Sequence, residues 1–262
     1  MYRDHSVAVV MPIHNEEAHA VRAIGRVPDY VDLVIAVDDG SGDGTWEQLS
    51  RIESGRLVRL RHAKNRGVGA ATKTGYQHAI GASIDLIAVM DGDGQMDGRD
   101  LWRLLDRSID GADYVKGNRF LHHSLAAMPL SRLAGNTIFS WLTRRATGLV
   151  DPVDAQCGYA VIRHSALSRI KLNDLYDRYG FLNDMLFATE RAGLRVESVP
   201  VRCIYGQEVS GINPLKVVPA ILWLICRRYI DRLLTTWLDG ATVTAASVSR
   251  LVSRRDGVIR EQ

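Results

Sequence analysis

The chain has 262 residues, 46% hydrophobic and 24% charged, the composition of an ordinary globular protein rather than of a disordered, collagen-like or coiled-coil chain. Against a usual domain size of about 150 residues, this length allows one large domain, or one domain with a small appendage. The net charge of +3 is too small to argue for nucleic acid, although 28 of the 33 cations are arginines, whose forked guanidinium suits phosphate.

Strands are predicted at Val7 to Pro12, Leu33 to Val37, Leu57 to Leu60 and Leu86 to Met90, short apolar runs bounded by polar or glycine turns. Helical patterns lie between them, at Glu16 to Arg26, Thr45 to Ser54, Gly69 to Ala82 and Asp100 to Ile109. This alternation predicts an α/β fold with a mainly parallel sheet and right-handed crossovers. Further on, Tyr114 to Arg119 and Val196 to Ile204 read as strands, and Leu130 to Thr147 and Asn183 to Ala192 as helices. From Leu215 to Leu238 the pattern is amphipathic, with Leu222, Ile225, Tyr229 and Leu233 at helical spacing beside Arg227, Arg228 and Arg232. Such a helix can lie on a membrane surface, or pack on its own domain or on a second copy.

Cys157, Cys203 and Cys226 are far apart and odd in number, so neither a disulfide framework nor a zinc site is expected, and a reducing cytosol is. Val7 to Ile13 lacks the flanks of a signal peptide. The longest apolar run, Val217 to Cys226, falls short of the roughly 20 residues that span a bilayer, so no transmembrane helix is expected.

In parallel sheets ligands bind beyond the carboxyl ends of the strands, and here those ends carry His14-Asn15-Glu16, Asp38-Asp39 and Asp91-Gly92-Asp93. Asp91, Asp93 and Gln95 alternate directly after a buried strand, so their oxygens can converge on one hard cation, Mg²⁺ or Mn²⁺. Such an ion usually completes its shell with substrate phosphates, which implies a diphosphate substrate. An Asp-Gly turn closing a strand has the same composition. Arg66-Gly67-Val68-Gly69 could approach phosphates or could form a tight turn for close helix packing. It is neither a P-loop nor a dinucleotide fingerprint, which disfavours ATP and NAD chemistry.

Val9 to Glu17, Val37 to Thr45, Asn65 to Gly81 and the Asp91 motif, in this order and spacing, resemble the nucleotide-sugar half of family two glycosyltransferases with the GT-A fold. The resemblance covers residues 5 to 120 strongly and 121 to 212 more loosely. It implies one Rossmann-like GT-A domain over residues 1–212, with 213–262 forming a C-terminal amphipathic helical segment and tail. It further implies that Pro12, His14 and Glu16 line a nucleoside pocket and that Asp39 accepts hydrogen bonds from the base, a uracil or guanine ring N–H being the donor a carboxylate can use. Arg66 stands with them. Asp43 fits a local helix-cap role as well as a binding one.

Gly117 to Phe120 and Met128 to Arg132 resemble segments of polyprenyl-phosphate sugar synthases of the dolichyl-phosphate mannose synthase kind, which implies that Arg119 and Arg132 bind a lipid phosphate. Asp154 and Gln156 correspond to a segment bordering the donor sugar. Asp184 stands where enzymes that glycosylate hydroxyls keep a base, and it equally fits a helix-end carboxylate. Tyr205 to Gly211 departs from the Arg-x-x-Gly-x-Ser-Lys ending of the mannose synthases.

The expected activity is therefore metal-dependent, inverting transfer of a hexose from a UDP- or GDP-linked sugar to a polyprenyl phosphate at the cytoplasmic membrane face. One alternative keeps the donor and uses Asp184 to activate a hydroxyl of a glycan, lipid-linked saccharide or secondary metabolite. Another is a nucleotide-sugar-binding protein without turnover.

Overall fold

The computed structural model describes residues 1–149, 151, 153–204, 215 and 217–235. The chain order is β1 (Val7–Ile13), α1 (Ala20–Gly25), β2 (Leu33–Asp38), α2 (Thr45–Ser50), β3 (Leu57–Arg61), α3 (Val68–Gly81), β4 (Leu86–Val89), α4 (Leu101–Ile109) and β5 (Tyr114–Asn118). There follow α5 (Leu130–Thr147), β6 (Ala160–Arg163), α6 (His164–Leu167), α7 (Phe181–Arg191), β7 (Val196–Pro200) and a last helix, α8, over 217–235.

The strands form one seven-stranded sheet in the order β3-β2-β1-β4-β6-β5-β7. It is mainly parallel, with β6 antiparallel to both its neighbours. β1 is central and wholly buried, and its residues divide by parity as strand geometry requires. Val7, Val9, Met11 and Ile13 enter the layer containing Leu101, Leu104 and Leu105 of α4. Ala8 and Val10 enter the layer containing Ala71, Tyr76 and Ala79 of α3 and Met185 and Leu186 of α7. Both faces are covered, which is why these strands read as continuous apolar runs.

α3 lies unusually close to β1, because a Cβ added at Gly75 would come within 2.2 Å of Val10 Cγ1. Pro12, whose missing N–H would break a ladder in most central strands, is tolerated for a local reason. β1–β4 pairing ends at Val10↔Val89 and at the bond from Met90 N to the Val10 carbonyl. Pro12 has the same parity, so its nitrogen faces the gap that β4 has left.

Some expected boundaries move. The first helix begins at Ala20 rather than Glu16, because 14–19 is a loop turned by Asn15 (φ +55°). This loop is bound to the next one, Asn15 N donating to Ser41 Oγ (2.9 Å) and Glu16 N to Thr45 Oγ1 (2.8 Å). The late strand stops at Pro200 instead of running to Ile204, although Cys203 bridges to Met96. β6 has no counterpart among the expected elements.

α8 buries Ile221, Leu224 and Ile225, and Ile221 and Ile225 pack with Phe187 of α7 and Ala146 of α5. Its other face exposes Leu222, Trp223, Tyr229, Ile230, Leu233 and Leu234, and α5 exposes Leu130, Ile138 and Trp141. Among the described residues no helix is long and apolar enough to cross a membrane.

Candidate active site

The carboxyl ends of β1, β2 and β4 meet. Ile13 pairs with Asp38, and Asp39 N donates to the Ile13 carbonyl (2.8 Å). A Cβ on Gly92 would lie 2.7 Å from Ile13 Cγ1, so the turn after β4 presses on the tip of β1. That turn is closed by Asp93, whose Oδ1 accepts from Gln95 N (2.8 Å), and by Gly94 at φ +74°.

Asp91 is a strongly perturbed carboxylate of this corner. It is partly exposed, yet the protein around it and the Asp93 charge push its carboxyl up to about 7, with Glu16 adding and Arg119 and Lys116 opposing. Gly158 makes room for it, since a Cβ there would come within 2.9 Å of Asp91 Oδ2. A carboxylate whose ionisation is disfavoured by burial and by a second carboxylate beside it suits a divalent cation, whose charge would relieve that repulsion. Among the described residues no three His, Cys, Asp or Glu side chains form a metal cage. Asp91, Asp93 and Gln95 would therefore leave coordination positions to substrate oxygens, as is usual for Mg²⁺.

In the corner expected to take the nucleoside, Pro12 is buried, His14 exposed and Glu16 intermediate. Asp39 is 2% exposed and organises its own surroundings. Its Oδ1 accepts from Arg66 N (3.0 Å) and lies 2.6 Å from His62 Nδ1, and its Oδ2 accepts from Gly67 N (2.7 Å). His62 Nε2 is 2.9 Å from Thr74 Oγ1. Asp39 thus shapes the Asn65–Gly69 turn, and Arg66 enters the corner through its backbone amide. The glycines of this turn serve close packing, because a Cβ on Gly67 (φ +108°) or Gly69 would stand 2.4 Å from the carbonyls of Asp177 or Tyr176. Asp43 makes local bonds, accepting from Thr45 N (3.1 Å) and Oγ1 (2.5 Å).

Arg119 and Asp154, expected on acceptor phosphate and donor sugar respectively, bind each other. Arg119 Nε donates to Asp154 Oδ2 (2.6 Å) and its Nη2 to Oδ1 (3.0 Å), with Asp154 fully buried. Gln156 Nε2 donates to Asn183 Oδ1 (3.2 Å). Arg132 stands in the first turn of α5, partly exposed and without an ion pair among the described residues.

Asp184, expected either as a base or as a helix-end carboxylate, stands near the start of α7. It is 1% exposed, and its oxygens are taken by Arg228 Nε (2.6 Å), Arg228 Nη2 (2.9 Å) and Tyr176 N (2.8 Å). The structure thus places Asp184 in a buried forked ion pair with Arg228.

Three groups were missed. Lys116, fully buried on β5, donates to the Cys157 carbonyl (2.6 Å), and burial lowers its pKa. Its only sequence signal is a cation inside an apolar run. Tyr179 lies near Asp91, and its phenol is pushed up by burial and by that charge. His62, beside Asp39, carries no spacing signal at all. The Tyr205–Gly211 motif lies outside the described residues.

The sequence model described as glycosyl transferase family 2 matches residues 8–170, more than half of the chain. The chain belongs to that family. Family 2 relatives include the UDP-N-acetylglucosamine–dolichyl-phosphate N-acetylglucosaminyltransferase of Methanococcus voltae, 27% identical over 77% of this chain and 87% of its own. The undecaprenyl-phosphate mannosyltransferase of Micrococcus luteus is 31% identical over 74% and 82% of the two chains. Among solved structures, glucosyl-3-phosphoglycerate synthase from Mycobacterium tuberculosis, in complex with Mn²⁺, UDP and glucosyl-3-phosphoglycerate, superposes with a TM-score of 0.60 at 18% identity. The match covers 87% of this chain and 80% of that one. At that identity the likeness speaks for the GT-A fold. The chain is a glycosyltransferase, and the alternative without turnover is set aside.

Proposed function

We propose that this glycosyltransferase moves a hexose from a UDP- or GDP-linked sugar to a polyprenyl phosphate with inversion, at the cytoplasmic face of a membrane. The observation that carries the choice of acceptor is the Arg228–Asp184 pair. With Asp184 occupied, an acceptor that is already anionic fits the site better than an alcohol that must lose a proton as it attacks. The relatives acting on dolichyl and undecaprenyl phosphates support the same reading.

Asp91 and Asp93, with Gln95, would hold Mg²⁺ or Mn²⁺, which when bound neutralises charge developing on the leaving diphosphate. Pro12, His14 and Glu16 line the nucleoside corner, and Asp39 holds its wall and offers a carboxylate to the base. Arg119, kept in place by Asp154, and Arg132 at the start of α5 receive the acceptor phosphate through charge-assisted hydrogen bonds, and Gln156 borders the sugar. A phosphate oxygen then attacks the anomeric carbon from the side opposite the diphosphate. The new C–O bond forms as the bond to the diphosphate breaks, and no proton needs to move.

The test is incubation with labelled UDP- and GDP-sugars, membranes and Mn²⁺ or Mg²⁺, with and without chelator. The expected product is an acid-labile lipid whose formation stops on chelation. Label found only in a water-soluble glycoside would overturn the acceptor assignment, and transfer unaffected by chelator would overturn the metal assignment.

The outer faces of α5 and α8 support placement at a lipid surface. They present Trp141, Trp223, Tyr229 and aliphatic side chains together with Arg144, Arg145 and Arg227, an apolar-aromatic face with cations that suits anionic headgroups. Replacing both Trp141 and Trp223 with serine should sharply reduce co-sedimentation with phosphatidylglycerol vesicles while leaving nucleotide binding in solution unchanged. Undiminished vesicle binding would remove this face from the account.

A further inference from the structure

α8 is fastened by a buried charge as well as by apolar packing. Two glycines of the preceding fold are open to receive it. A Cβ on Gly180 would meet Leu224 Cδ2 at 2.6 Å, and one on Gly148 (φ +76°) would meet Arg232 Nη2 at 2.5 Å. Arg228 grips Asp184 of α7 with both Nε and Nη2 and also donates from Nη2 to the Asp174 carbonyl (2.9 Å). The same Asp184 carboxylate accepts from Tyr176 N. One buried group therefore joins α7, α8 and the segment 174–180.

That segment backs the nucleoside corner. The Asp177 carbonyl accepts from Ala70 N (2.9 Å), while Lys73 donates to the Leu175 carbonyl (2.8 Å) and pairs with Asp177 (2.6 Å). Gly67 and Gly69 pack directly on the Asp177 and Tyr176 carbonyls. Asp39 holds the same turn through Arg66 N and Gly67 N.

We infer that Arg228 is a positioning residue for the donor site, acting through Asp184 to fix segment 174–180 and with it the Asn65–Gly69 turn. α8 is then part of the catalytic unit rather than an appendage to it. The inference rests on the donor-site reading above. It concerns binding in solution, with no lipid present.

The experiment is calorimetric titration of UDP with Mn²⁺, and of GDP with Mn²⁺, into the full chain and into Arg228→Met, Arg228→Lys, Asp184→Asn and the double variant Arg228→Met/Asp184→Asn. For the nucleotide the wild type binds, Arg228→Met and Asp184→Asn should each weaken affinity about ten-fold. Arg228→Lys should recover most of the loss, and the double variant should be no worse than the worse single one, because both remove the same link. A merely structural pair would lower the melting temperature and leave affinity intact well below it, and that result overturns the inference. So does Asp184→Asn losing turnover at full nucleotide affinity while Arg228→Met stays active, which would restore Asp184 as a base. If Arg228→Met does not fold, Asp184→Asn and Arg228→Lys carry the same comparison. Failure of the wild type to bind either nucleotide would instead fell the donor-site reading, and this inference with it.

Discussion

Replacing Asp91 with asparagine should lower sugar transfer by about 10²–10³-fold or more, the usual effect of removing one group that stabilises charge in a transition state. The metal-free protein should meanwhile be no less stable. Both halves follow from the same crowding. Asp91 faces Asp93 and Glu16, and its carboxyl is pushed up to about 7 by burial and by the Asp93 charge. A carboxyl whose folded pKa exceeds its unfolded value, about 3.9, loses stability as pH rises between the two and stays unfavourable above them. At pH 8 the charged Asp91 is therefore a cost to the metal-free fold, and the neutral amide removes it. Thermal melts in chelator at pH 8, beside transfer assays in Mn²⁺, check the pair of expectations. A clear drop in melting temperature with activity retained would make Asp91 a structural turn residue and remove the centre of the proposed site.

The parallel half of the fold was legible because strands buried on both faces must be apolar at every position, as Val7–Ile13 is. The tips of those strands were legible for the complementary reason, since polar residues there serve neither face. β6 escaped notice because its four residues, Ala160–Arg163, are too few to show a period. The late start of the first helix was hidden in contacts between loops, Asn15 with Ser41 and Glu16 with Thr45.

Candidate site residues divide in the same way. Asp91 and Asp93 declare themselves by local alternation after a strand. The partners of Arg119, Asp154 and Asp184 are set by tertiary structure over separations of 35 and 44 residues, which no motif spacing encodes. A carboxylate at a helix start looks the same in sequence whether it awaits a proton or an arginine. Arg228 reads as one more cation on an amphipathic face, and only the buried end of its side chain separates it from Arg227, which lies over Trp223 (5.3 Å).

Arg119→Ala should be strongly destabilising. It leaves Asp154, at 0% exposure, without its forked partner, and an uncompensated buried charge costs about 3–5 kcal/mol. Lys116 lies close by but is engaged with the Cys157 carbonyl, so it cannot replace the two bonds lost. The double variant Arg119→Met/Asp154→Leu should be markedly more stable than Arg119→Ala, because no charge is then stranded, and chemical denaturation of both variants reads the difference. Both should be inactive in transfer if Arg119 receives the acceptor phosphate as proposed, since its guanidinium is gone from each. The combination separates the two duties assigned to Arg119, compensating Asp154 in the fold and meeting a phosphate in the reaction. If the double variant recovered transfer along with stability, Arg119 would be a purely structural counter-ion and the acceptor phosphate would fall to Arg132.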